Sequence, residues 1–143
     1  MKLFIILTLL LLSNLSLIKA DIIINEIHYN SEPNNDLNEF IELYNTTNDP
    51  IDISGWFFSD GITYQFSEGT TIKGNEFLVI SENPTSLQNT LGSSSIGPYS
   101  GNLSSGERVE LRKTNGTIAD SVCLLYTSPS PRDLSTSRMP SSA

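Results

Sequence analysis

The sequence predicts an all-β fold, and three features of its central portion carry that prediction. Short runs rich in β-branched and aromatic residues alternate with polar positions, as in Glu39-Phe40-Ile41-Glu42-Leu43-Tyr44 and Arg108-Val109-Glu110-Leu111-Arg112. A period of two sends successive side chains to opposite faces of a strand, so such runs read as half-buried strands. Turn-forming pairs, Asp60-Gly61 and Asn115-Gly116, punctuate the runs as hairpin connections. Helical spacing is confined to a weak turn at Pro84 to Leu91.

The elements follow in order. Ile22-Ile23-Ile24-Asn25-Glu26-Ile27-His28 is β-branched and ends at a turn-rich stretch, Asn30 to Asp36. Glu39 to Tyr44 alternates, with Ile41 and Leu43 on one face, and Asn45 to Pro50 is turn chemistry throughout. Ile51, Ile53 and the Gly55-Trp56-Phe57-Phe58 run supply the next strand. After the Asp60-Gly61 turn, Ile62, Tyr64 and Phe66 alternate with polar residues. Thr70 to Ile72 is a short edge, and Lys73-Gly74-Asn75 a turn. Phe77-Leu78-Val79-Ile80 is continuously apolar, which predicts a strand covered on both faces. Gly92 to Ser105 reads as a long Ser/Gly loop. Arg108 to Arg112 should place its two arginines on a solvated face and Val109 and Leu111 on the other. Thr117 to Val122 pairs after the Asn115-Gly116 turn. About seven short strands with turns every ~8–12 residues fit an immunoglobulin-like β-sandwich, with Trp56 as the natural residue between the sheets.

Composition divides the 143 residues into three parts. Residues 1–20 have the layout of a secretory signal peptide. Lys2 gives a positive start, Leu3 to Leu12 is apolar except for Thr8, and Ala20 is a small residue at a cleavage point. The apolar run is shorter than the ~20 residues that span a bilayer, so no membrane insertion is expected after cleavage. The expected location is therefore secreted, extracellular or cell-surface. Residues 21–122 form the domain. Residues 123–143 are rich in Ser and Pro, and from Cys123 onward they resemble a translated transposon-end sequencing adapter. On that reading the tail is non-native and disordered, the only cysteine is foreign, and the last strand is cut short at Val122.

Residues 21–122 carry 15 acidic and 4 basic residues (Lys73, Arg108, Arg112, Lys113). That balance argues against nucleic acid, because phosphate binding needs clustered Lys and Arg. A hundred-residue chain can bury a core without cross-links, so the lack of a cysteine pair excludes nothing about folding.

The segments Ile23 to Ile27, Glu39 to Asn45, Ile51 to Trp56, Gly61 to Phe66, Gly69 to Ile72, Glu76 to Ile80, Gly106 to Leu111 and Gly116 to Val122 together resemble the lamin-tail domain family in order and spacing. The resemblance implies an immunoglobulin-like sandwich. It is nearest the bacterial secreted type, found beside CotH-type kinase-like domains, nucleases, phosphoesterases or adhesion modules. The loop Gly97 to Ser104 is similar to the kinase-linked versions. The function expected is a non-catalytic exported binding or scaffolding module, the N-terminal portion of a larger secreted protein with a protein or polysaccharide partner. The alternative is an accessory domain of a secreted enzyme whose catalytic domain is lost.

Chemistry-bearing residues are few. Glu26 and His28 share a strand face and could hold a metal with Glu42, but one His and scattered carboxylates are a thin set for zinc. Asn34-Asn35-Asp36-Leu37-Asn38-Glu39 offers oxygen ligands without the glycine and distal glutamate of an EF-hand. No phosphate loop, Ser/His/Asp order or redox motif is present. No catalytic, cofactor or metal residue is therefore assigned, and no cofactor is expected. Asn45-Thr46-Thr47, Asn102-Leu103-Ser104 and Asn115-Gly116-Thr117 match the glycosylation pattern, the last being more simply a turn. A weaker alternative is a calcium-dependent carbohydrate-binding module, with Tyr29, Tyr64 and Tyr99 as candidate exposed aromatics.

Overall fold

The structure is a computed structural model that describes residues 21–29 and 39–124. The expectations for residues 1–20, for 30–38 and for the tail from 125 onward lie outside the described residues. Among the described residues ten strands and one helix follow in order: β1 (Ile22–His28), β2 (Phe40–Asn45), β3 (Ile51–Asp52), β4 (Phe57–Asp60), β5 (Ile62–Gln65), β6 (Thr71–Ile72), β7 (Phe77–Ser81), α1 (Pro84–Leu91), β8 (Ser100–Gly101), β9 (Arg108–Arg112) and β10 (Ile118–Cys123). Only β3, β6 and β8 are as short as two residues, so the longer strands agree with the expected seven.

The strands form a three-stranded sheet, β1-β2-β7, a five-stranded sheet, β10-β9-β4-β5-β8, and a small β3-β6 pair. Ladder pairs between these strands are antiparallel. One core fills the space between the sheets. Ile22, Ile24, Ile41, Leu43 and Ile80 face it from the first sheet, and Phe58, Ile62, Val109 and Leu111 from the second. This is the immunoglobulin-like sandwich that the alternation predicts. Trp56 joins the core at 9% exposure, and Lys113 lies over its ring at 5.4 Å. The indole thus packs inward and offers its outer π-face to a cation.

Local chemistry sets where the elements end. Asn83 caps α1 by accepting from the Ser86 N–H at 3.0 Å, Pro84 starts the helix, and Gly92 closes it at φ 70°. Asn45 is fully buried at the end of β2 and uses its whole amide. Its Nδ2 donates to the carbonyls of Asp49 and Ile72 at 2.8 and 2.9 Å, and its Oδ1 accepts from the N–H and hydroxyl of Thr47 at 2.9 and 2.8 Å. An asparagine can satisfy this arrangement because it carries two donors and an acceptor on one planar group. Gly74 lies against Asn48, where any Cβ would collide with the Asn48 carbonyl. On the open edge of the first sheet, the bulge between Ile24 and Glu26 is met by Asp120 of β10, whose Oδ2 accepts from the Ile24 N–H at 2.8 Å. A side chain thus links the edges of the two sheets where main-chain pairing stops.

Several expectations are corrected. The apolar run Phe77 to Ile80 is not covered on both faces: Phe77 is 54% exposed, because β7 lies in an antiparallel sheet whose outer side has no full second layer. The Gly92 to Ser105 segment is not simply a loop. Ile96 bridges Ile80, Ser100 and Gly101 pair with β5, and Tyr99 and Leu103 are buried. Alternation cannot reveal such isolated anchors. The boundary at Val122 also moves. Cys123 pairs with Arg108, the Leu124 N–H donates to the Glu107 carbonyl at 2.7 Å, and the Leu124 side chain enters the core. A ladder uses main-chain groups, so the residues that follow Val122 pair with β9 whatever their origin, and a leucine suits the inward position there.

Candidate functional site

The outer surfaces of the two sheets differ in chemistry. On the first sheet, β2 lies between β1 and β7 and directs Phe40, Glu42 and Tyr44 outward, while Ile41 and Leu43 point to the core. Tyr44 is opposite Phe77 on β7, and their rings stack at 4.6 Å and 28°. His28 of β1 is opposite Phe40 and stacks on it at 5.2 Å and 14°. Between the two stacks, Glu26 is directly opposite Glu42, which in turn is opposite Val79. The Asn25 amide donates to Glu42 Oε1 at 2.8 Å.

Helix α1 makes one wall of this surface. Leu87 is buried and Leu91 is 54% exposed. A groove of about 220 Å³ runs beside the helix, with Phe40, Val79, Leu87 and Leu91 as apolar walls and Glu26, Glu42 and Ser93 as its polar groups. Three large apolar side chains stand out as exposed among the described residues, and two of them, Phe77 and Leu91, are on β7 and the helix beside it. A concave surface that sets apolar walls beside polar groups is a form binding sites take.

The second sheet carries its charges differently. Arg108, Glu110 and Arg112 share the outward face of β9. Arg108 Nη2 is 2.9 Å from Glu110 Oε2, and Arg112 Nη2 is 2.5 Å from Glu110 Oε1. Arg112 Nε also donates to Glu110 Oε1 at 2.6 Å, and the Ser59 hydroxyl donates to the same oxygen at 3.1 Å. Burial pushes the Glu110 carboxyl up, but the hydrogen bonds from Arg112 and Ser59 and the charges of both arginines outweigh it and hold the group below its ordinary value. The two arginines share the outward face as expected, but β9 is an interior strand of its sheet and the carboxylate between them is covered. The arginines cover a carboxylate that is only 4% exposed.

A third polar group sits at the end of the core. Glu39 is 1% exposed, and its Oε2 accepts from the Leu103 N–H at 3.2 Å. The last member of the Asn34 to Glu39 run therefore turns inward, to hold the loop before β9. Tyr99 lies nearby at 4% exposure, and burial, then the negative charges of Glu39 and Glu82, raise its pKa. Tyr99 is thus no exposed aromatic, and Tyr29 and Tyr64 pack partly against the core.

The family model of the Lamin Tail Domain matches residues 18–124. The chain belongs to the lamin tail domain family. The match covers all the described residues and, like the β9-β10 pairing, extends to Leu124. Lamin tail domains are immunoglobulin-like domains without enzymatic activity of their own, which agrees with the sandwich seen here. No curated protein matches the chain.

Within this lamin tail domain the structure brings together only part of the considered metal set. Glu26 and Glu42 are cross-strand neighbours, whereas His28 is engaged with the Phe40 ring. Among the described residues, no three His, Cys, Asp or Glu side chains gather so as to hold a metal ion. Of the glycosylation triplets, Asn45 is buried and fully bonded, and Asn115 accepts from both the N–H and hydroxyl of Thr117 at 3.0 and 2.7 Å. Sequence reasoning missed the Tyr44–Phe77 and His28–Phe40 stacks. Their signal was present in the outward positions of strands that pair, but register is needed to read it.

Proposed function

We propose that this lamin tail domain is a non-catalytic binding module of an exported protein, and that it engages its partner through the outer face of β1-β2-β7. The observation that carries this reading is exposed Phe77 stacked on half-buried Tyr44 beside the groove lined by Glu42, Val79 and Leu91. Exposed aromatics at a sheet face contribute large contact area at low entropic cost, which is why they recur at binding hot spots. The second sheet offers no equivalent, since its outward charges satisfy one another. The signal-like segment at residues 1–20 supports export, and the family supports a role beside other domains of a larger secreted protein.

The test is amide chemical-shift mapping of the full chain against two probes, phage-selected peptides and soluble oligosaccharides such as cellohexaose. The reading expects perturbed amides in β2, β7 and α1, and binding weakened about tenfold or more by Phe77→Ala, a hot-spot loss. Perturbation confined to the β9 face would overturn it. Export is tested separately by sequencing the N-terminus of protein recovered from the medium, with Asp21 expected first.

A further inference from the structure

We infer that the groove beside α1 takes a cationic peptide segment, with a Lys or Arg side chain seated between Glu26 and Glu42 and apolar neighbours against Phe40, Val79 and Leu91. This rests on the binding face proposed above and names its occupant. The central observation is that Glu26 and Glu42 occupy directly opposite positions on paired strands. Like charges so placed repel, and although Glu26 is exposed, the apolar walls beside half-buried Glu42 screen that carboxylate less than open water does.

Among the described residues no lysine or arginine pairs with either glutamate, and His28, on the same face of β1 as Glu26, stacks on Phe40. Lys73 pairs with Glu76 at 3.7 Å, Arg108 and Arg112 pair with Glu110, and Lys113 lies over Trp56. The Asn25 amide that reaches Glu42 is neutral. A partner cation would supply the counter-charge that the described residues do not, and three other classes of ligand fit poorly. An anionic chain such as a nucleic acid would meet two carboxylates. A bare metal ion would find two carboxylates and an occupied histidine. A neutral glycan could bond to the carboxylates but would leave their repulsion in place. A guanidinium or ammonium group, brought in on an apolar segment, answers both the charge and the walls.

Random peptides displayed on phage and selected on the full chain give the test. The expected winners carry Arg or Lys flanked by Leu, Ile, Val or Phe. A winning peptide, measured by titration calorimetry, should bind about tenfold or more weakly to the Glu26→Gln/Glu42→Gln double variant, as truncation of a buried charge pair does. Replacing its arginine by citrulline should do the same. Binding should also weaken as salt rises from about 0.05 to about 0.5 M, because the pairing is partly screened. The double variant keeps side-chain shape and an acceptor for Asn25, and an unchanged circular dichroism spectrum verifies that it is folded. Winners without cations that still perturb β2 and β7 would overturn the cationic occupant and leave the binding face standing. A face that answers only to cellohexaose, or to neither probe, would overturn the peptide. Perturbation mapped to the β9 face would overturn both readings.

Discussion

Glu42 and Glu110 occupy equivalent places in the two halves of the sandwich. Each projects outward from a strand with a neighbour on both sides, Glu42 from β2 and Glu110 from β9. Glu110 is nearly buried beneath two arginines and a serine hydroxyl. Glu42 is half-exposed, faces another glutamate, and has one neutral amide as its donor. The same residue type is thus internally satisfied on one face and left with same-sign company on the other. The lesson is that an acidic composition does not by itself mark a site. What marks one is the carboxylate whose counter-charge the fold does not supply.

What the two sheets share should dominate stability. Trp56→Ala removes a core side chain beneath Lys113, and should cost about 3–5 kcal/mol in urea unfolding. Since one core underlies both faces, amide protection in β2 and β9 should fall together. Loss confined to β9 would show that the sandwich is two separable units. Next in size is the end of β10. A chain ending at Val122 should be less stable than one ending at Leu124 by about 1.5–3 kcal/mol, the usual worth of burying a leucine. Equal midpoints would mean that the Leu124 side chain contributes nothing and that the fold ends where the composition changes.

Much of this fold was legible from residue patterns, because strands of an antiparallel sandwich alternate and their hairpin turns use Asn-Gly and Asp-Gly. β2 and β9 read correctly residue by residue, as did the inward Trp56. The polar residues that fix the strand ends did not. Glu39 precedes β2 and Asn45 ends it, and as polar residues both would be expected at the surface, yet both are buried, because main-chain groups at the ends of a sheet need side-chain partners. Register was equally hidden. Nothing local says that Glu26 faces Glu42, or that Tyr44 faces Phe77, since those pairings are set by a bulge at β1 and by a long connection before β7. The binding face is built from such pairings, and that is why the site was less legible than the fold.

Acid should separate the two faces. Glu110 has a folded pKa below its ordinary value, so its ion pairs contribute stability that is fully present above the unfolded pKa. That contribution is lost as the pH falls through the depressed folded value, below about 4.5, the ordinary glutamate value. Asp52, lowered by the Ser54 hydroxyl and N–H, behaves in the same sense at the β3 turn. Hydrogen exchange followed downward from neutral pH should therefore show local opening in β9 and β10 before local opening of the β2-β7 pairing, both ahead of the unfolding of the shared core as one unit. The reverse order would mean that the arginine pairs do not stabilise the second sheet.

The smallest effect is the most specific to the comparison. Glu42→Gln and Glu110→Gln are the same chemical change at matched positions, and they should move stability in opposite directions. At Glu110 the change leaves two arginines without their shared carboxylate, so thermal unfolding should come at lower temperature. At Glu42 it removes a cross-strand repulsion and keeps an acceptor for Asn25, so stability should rise by roughly 0.2–1 kcal/mol, the range for cross-strand pairs. The gain should vanish when Glu26 is already glutamine, because no repulsion then remains to relieve; a double-mutant cycle reads that coupling directly. A Glu42→Gln variant less stable than the parent would mean that the carboxylate is satisfied within the free domain, and the contrast between the two faces would collapse.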